Sequence, residues 1–182
     1  MAAVVPSDPT SQGIRVRPAL LTDLERIVEF NLRLAQETEG KTLDREVLTR
    51  GVKNGLRDPE RLRYWVAELV ENQAGSGASE PIVGQAAITR EWSDWRNGWL
   101  WWFQSVFVDA SARGRGVFRA LYQEIRAEAH AQADVIGLRL YVEQENKRAQ
   151  RTYQALGMRP GGYQVFEELW TDRFASPLPP PG

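Results

Sequence analysis

The segment from Trp99 to Val117 constrains this chain more than any other. Residues 99–108 read WLWWFQSVFV and are apolar at nearly every position. Strict alternation puts Trp99, Trp101, Phe103 and Phe107 on one side and Leu100, Trp102, Val106 and Val108 on the other. A strand that is apolar on both faces belongs inside a sheet covered by helices on each side. Asp109-Ala-Ser-Ala-Arg113-Gly114-Arg115-Gly116 follows, after which Val117, Leu121, Ile125 and Ala129 recur every four residues, as on an amphipathic helix. A buried strand, a Gly/Arg turn and a helix start therefore come in succession. That order aims backbone N–H groups and the positive end of a helix dipole at one spot. The glycines admit a phosphate close to the backbone, and Arg113 and Arg115 add charge. On the loop alone, a phosphate-bearing ligand and a plain turn with two solvated arginines both fit. A Walker loop is excluded because no Gly-Lys-Ser/Thr is present, and only Gly114 and Gly116 are placed for a dinucleotide fingerprint.

The rest of the chain supplies a mixed α and β order around this segment. Ile14 and Val16 alternate with Arg15 and Arg17 in a short strand stopped by Pro18. Thr22-Asp-Leu-Glu25 reads as a capping box opening a helix that carries Leu24, Ile27, Val28 and Leu34. Asp44 is expected to cap a second helix with Val47, Leu48 and Val52. Residues 62–71 and 82–90 read as two strands joined by a Gly/Ser-rich loop at 72–81. Asn97-Gly98 suits a type I′ hairpin turn, with positive φ at both residues, leading into the fourth strand. Leu138, Leu140 and Val142 predict a fifth strand. Asn146 opens a helix to about Leu156, Gly157 ends it, and 163–170 reads as a last strand. The expected fold is α/β (α+β), a single domain with a mixed central sheet flanked by helices on both faces. It should span 13–174, with a mobile arm at 1–12 and a Pro-rich disordered tail at 175–182.

Composition removes several function classes. The 182 residues carry 23 Lys+Arg against 24 Asp+Glu, a net charge of −1. A dedicated nucleic-acid binder or basic membrane-surface protein would show a cationic excess. The chain has no cysteine and a single histidine, His130. Thiol nucleophiles, disulfides and His-rich metal sites are therefore excluded, and no metal is expected. His130 lies late on the helix after the loop and reads as structural. The first residues lack a secretory pattern and no apolar run is long enough to span a bilayer, so a cytoplasmic location is the expectation.

A second segment lies some thirty residues beyond the loop. Asn146 is a sound helix cap, and Ala149 and Tyr153 fall on one helix face, four apart. Together the two segments resemble the GNAT superfamily of acyl-CoA N-acyltransferases. Arg113 and Gly116 match the first two fixed positions of its Arg/Gln-x-x-Gly-x-Gly/Ala loop, while Phe118 stands at the third. Asn146, Ala149, Tyr153 and Gly157 match the downstream Asn-x-x-Ala-x-x-x-Tyr-x-x-x-Gly-Phe, with Met158 in the Phe slot. The likeness in element order covers about 14–170, and its specific motifs cover 104–158. One strand follows Gly157 where the family often has two.

The resemblance implies acetyl-CoA as co-substrate and strands splayed at its site. Its pyrophosphate would sit on the loop amides of Arg113, Gly114, Arg115, Gly116, Val117 and Phe118, with Asn146 and Tyr153 nearby. Its pantetheine arm would add to the backbone of Val106, Phe107 and Val108. A deprotonated primary amine, on a small molecule or a peptide, would attack the thioester directly. Strand amides would polarise the carbonyl, and Tyr153 would protonate the departing thiolate. The family's fourth-strand glutamate is missing, since Trp102 and Gln104 occupy that stretch. Glu143 is then the first candidate base, with Glu91 as another. Glu37 and Glu39, placed after the first helix, are candidates for the acceptor site, and each of these carboxylates is also compatible with a solvated surface role.

Five of the seven tryptophans lie within 92–102. Trp99, Trp101 and Trp102 read as core. Trp92 and Trp95, with Glu91 and Asp94, are compatible with an aromatic, acidic wall for a cationic amine, or with a packing face in a homodimer. Two rivals to an N-acetyltransferase stay open: a noncatalytic acyl-CoA-sensing module and an unrelated nucleotide-phosphate-binding domain.

Overall fold

The computed structural model describes residues 13–70, 80–168 and 170. The arm, most of the Gly/Ser loop and the tail expected from the sequence lie outside the described residues. Strands β1 (Ile14–Pro18), β2 (Arg63–Leu69), β3 (Ile82–Ser93) and β4 (Gly98–Phe103) run antiparallel to their neighbours in chain order. A two-residue strand, β5 (Phe107–Val108), also pairs with β3, and β6 (Val135–Leu140) pairs parallel with β4. Helices α1 (Leu24–Glu39) and α2 (Arg45–Arg57) join β1 to β2, α3 (Val117–Ala131) crosses from β5 to β6, and α4 (Lys147–Ala155) follows β6.

The sheet has a core on each face, as its apolar central strands demand. On one side Ile27, Val28 and Val52 of α1 and α2 meet Tyr64, Val66 and Ala87. On the other, Val117, Leu121, Ile125 and Ala129 of α3 meet Trp65, Ala86, Ile88, Trp101 and Phe103. Each fully buried large side chain contributes about 1.5–3 kcal/mol. Gly84 of β3 lets α3 sit this close, because a Cβ there would lie 2.7 Å from Val117 Cγ1.

Several local expectations are corrected. Thr22 does not cap α1. The preceding turn is fastened by Asp23, whose carboxylate accepts the Leu20 N–H at 2.7 Å and pairs with Arg17 at 2.7 Å. Asp44 does cap α2, accepting the Val47 N–H at 2.9 Å. The β3–β4 hairpin is a four-residue turn at 94–97 in which only Asn97 is left-handed (φ 49°). Gly98 instead opens β4 against Ile136, whose Cγ2 would lie 2.4 Å from a Cβ at that position. The fifth strand of the sequence reading stops at Leu140, short of Val142.

The long fourth strand is broken. From Ile88↔Phe103 to Gln85↔Phe107, β3 advances three residues while its partner advances four. The extra residue is a β-bulge, and it reverses the facing of everything after it. Phe107 turns to the α1 face, where its ring lies 5.0 Å from Phe30. Val106 and Val108 turn to the α3 core. The expected last strand is also absent: 158–168 and residue 170 have no regular structure, and Tyr163, Val165 and Phe166 are exposed. Alternating apolar residues make a strand only where a sheet edge pairs them, and Gly161 and Gly162 separate this segment from α4.

Candidate active site

The bulge creates the site. The last pairing between β4 and β6 is Phe103↔Leu140, and β5 pairs only with β3 among the described residues. The edge of β5 that faces β6 is therefore left open, and a wedge separates Val106, Phe107 and Val108 from the chain leaving β6. This is the splay expected for an acyl-CoA arm. Along that edge the Val106 N–H donates to Gln104 O at 2.8 Å and Val108 O accepts from the Arg113 side chain, so among the described residues no neighbouring strand pairs with it.

At the mouth of the wedge the loop is built from Asp109 outward. Its carboxylate accepts from the Ser111 N–H (3.1 Å) and Ser111 hydroxyl (2.8 Å), and Arg33 of α1 holds it at 2.7 Å. The Arg33 guanidinium, with the Ser111 N–H, lowers the Asp109 carboxyl to about 2. Arg26 approaches the same carboxylate at 3.5 Å. Sequence reasoning missed this anchor. Its signals were an Asp two residues before a Ser, and arginines seven apart on one helix face.

Gly114 (φ 79°) and Gly116 (φ 84°) are both left-handed, and Gly116 is the N-cap of α3 without a side-chain cap. Among the described residues the N–H groups of Gly116, Val117 and Phe118 have no backbone acceptor. Three amides and the helix dipole thus converge on the end of the wedge, an arrangement that suits a phosphate. Arg113 is engaged elsewhere: its Nε donates to Val108 O at 3.0 Å, and its head pairs with Glu37 on the last turn of α1. It braces the loop, while Arg115 stays exposed beside the amides.

The second motif comes to the same place. Asn146 Oδ1 caps α4 by accepting the Ala149 N–H at 3.0 Å. Tyr153 meets Phe118 edge to face, with centroids 5.5 Å apart. Phe118 therefore packs beside the loop and does not fill it. Burial raises the Tyr153 phenol above its ordinary value, so it stays protonated at neutral pH. Glu143 is exposed on the turn after β6, and its field, with those of Glu39 and Glu167, reaches the Lys41 ammonium. Glu39 itself pairs with Lys41 at 2.5 Å. Glu37 and Glu39 thus belong to the end of α1 and not to the loop after it.

The α1 face of the sheet beside the wedge is aromatic. Trp102 and Tyr141 have centroids 4.5 Å apart, Arg139 lies over Trp102 and pairs with Glu91 at 3.1 Å, and Gln104 donates to Thr89 at 2.8 Å. The buried Trp102 indole N–H has no partner. Glu91 belongs to this face, but Trp92 does not. Its side chain falls on the opposite face, against Trp99 at 5.1 Å, and Trp95 is 84% exposed at the hairpin tip. The three residues do not form one wall. No group of acidic or histidine side chains that could hold a metal occurs among the described residues, and no described helix is long and apolar enough to cross a membrane.

The sequence model of the Acetyltransferase (GNAT) family matches residues 24–158. No curated protein sequence matches the chain. A possible acetyltransferase from Clostridium difficile 630 is 40% identical, with a TM-score of 0.76 over 87% of this chain and 99% of that one. A predicted acetyltransferase with acetyl-CoA from Clostridium acetobutylicum is 20% identical, with a TM-score of 0.65 over 90% of this chain and 99% of the other. AAC(6')-Iy, in complex with a CoA-linked bisubstrate analogue, is 19% identical, with a TM-score of 0.65 over 86% of this chain and 98% of its own. The last two share the fold. With its motifs, its splayed sheet and a family match over most of its length, this chain belongs to the GNAT family of acetyltransferases.

Proposed function

We propose that the protein transfers the acetyl group of acetyl-CoA to a primary amine on a small molecule or peptide. The observation that carries this reading is the wedge between β5 and β6, which ends at the uncapped amides of Gly116, Val117 and Phe118. The pyrophosphate rests on those amides, and the pantetheine arm pairs with the open edge at Val106–Val108. The thioester then lies where β4 and β6 part.

Loop, Phe118 and Tyr153 occupy the α3 side of that point, so the amine enters from the α1 side, past Trp102, Gln104 and Glu91. A neutral amine attacks the carbonyl carbon, a new C–N bond forms, and the C–S bond breaks. Tyr153, kept protonated by burial, supplies a proton to the thiolate. The two chain segments that flank the parting point, 102–108 and 139–142, carry no carboxylate, so water carries the amine proton outward to Glu143 or Glu91.

An assay for free coenzyme A over a panel of primary amines tests the reading, with the acetylated product identified by mass. Amine-dependent thiol release with matching acetyl-amine supports it. Tight acetyl-CoA binding without release for any amine would instead make the protein a noncatalytic acyl-CoA sensor.

A further inference from the structure

The α3 face carries a second concave site, away from the loop. A cleft of about 460 Å³ opens between the C-terminal half of α3, the start of β6 and the chain beyond α4. Arg126 and His130 enter it from α3, one helical turn apart. Arg159 enters from the other wall, brought round by Gly157, whose backbone is left-handed (φ 89°). The remaining wall is apolar, formed chiefly by Val135, Leu138 and Met158 with the ring of Tyr122.

The charge in this cleft is unbalanced. Among the described residues no acidic side chain lines it, and the side chains of Arg126, His130 and Arg159 have no ion pair or hydrogen bond with any described residue. Arginines packed on the sheet behave differently: Arg17, Arg33, Arg63 and Arg139 each face a carboxylate. Two guanidinium forks at one opening suit phosphate oxygens, which they bind in paired hydrogen bonds. The apolar wall suits an organic body, and the volume falls in the range of small-molecule sites. With a rise of 1.5 Å per residue, Arg126 and His130 lie about 13–20 Å along α3 from its N-terminus, beyond the reach of the loop amides.

We propose that this cleft is a second ligand site, separate from the acyl-CoA loop, that takes a small organic phosphate. His130 is the chain's single histidine, so its imidazole NMR signals report on the cleft without ambiguity. AMP is the probe, with adenosine and inorganic phosphate as controls. The expected result is a saturable shift of the His130 signals with AMP, a weaker one with phosphate and none with adenosine. Arg126→Ala combined with Arg159→Ala should weaken AMP by about tenfold or more, and both side chains are exposed, so the fold should hold. Gly116→Asp, which blocks the loop, should leave the AMP response intact. Absence of a His130 shift, equal affinity for AMP and phosphate, or loss of the response in Gly116→Asp would each overturn the proposal.

Discussion

Replacing Gly116 with aspartate separates the fold from the ligand site. Gly116 caps α3 with φ 84°, so a side chain there meets left-handed strain of about 1–2 kcal/mol. Aspartate is also a favourable cap, and its carboxylate, by accepting a first-turn N–H, recovers about 1 kcal/mol. The net change in stability is therefore about 1 kcal/mol or less, a few degrees in Tm. Binding should respond far more. The same carboxylate occupies a first-turn amide of α3 and sets a negative charge where the pyrophosphate rests. Losing two charge-assisted hydrogen bonds, at about 1.5–3 kcal/mol each, removes about 3–6 kcal/mol. That corresponds to a Kd for acetyl-CoA about a hundredfold to ten-thousandfold weaker. Calorimetric titration with acetyl-CoA, paired with thermal unfolding, measures both quantities. Gly116→Ala carries the strain without the charge and should lose much less affinity. A folded Gly116→Asp protein that binds acetyl-CoA like the parent refutes the assignment of the loop.

Tyr153→Phe keeps the ring against Phe118 and removes only the hydroxyl. Turnover should fall about a hundredfold to ten-thousandfold with acetyl-CoA affinity within a few-fold, and a two- to threefold loss in single-turnover kinetics would make Tyr153 a positioning residue. The Asp109 carboxyl is held below its ordinary value of 3.8, at about 2. It therefore contributes stability at neutral pH that is lost as pH falls from about 4 toward 2. Thermal unfolding across that window should show the advantage of the parent over Asp109→Asn shrinking, and a constant difference would mean Asp109 does not anchor the loop. Trp102→Leu should alter the KM for the amine and spare acetyl-CoA binding, whereas Trp95→Ala at the hairpin tip should change neither. Amine kinetics that respond to Trp95 and ignore Trp102 would move the acceptor entrance.

The loop, its helix and the Tyr153 helix were legible because each rests on local chemistry. Gly114 and Gly116 take left-handed backbone, Val117, Leu121, Ile125 and Ala129 mark one helix face, and Asn146 caps by its own side chain. The bulge after Phe103 was not legible. Ten residues that are almost uniformly apolar carry no alternation that would show a slip of one position, so Phe107 and its neighbours were assigned to the wrong faces. The Asp109 anchor depends on Arg33, 76 positions away in sequence, and the pairing of Arg113 with Glu37 spans the same distance. Such contacts follow from tertiary geometry and leave no short-range pattern. The segment at 163–170 has a strand's alternation, but an alternation does not reveal whether an edge is there to receive it.

The central claim is that acetyl-CoA lies along the open edge of β5 and ends on the α3 amides. Amide hydrogen exchange with and without acetyl-CoA tests it directly. Exchange should slow at 106–108 and 114–118 and in α4 around Tyr153, while the hairpin at 94–97 stays unchanged. Slowing confined to the cleft of Arg126, His130 and Arg159, with the loop exchanging as it does in the free protein, would contradict the claim.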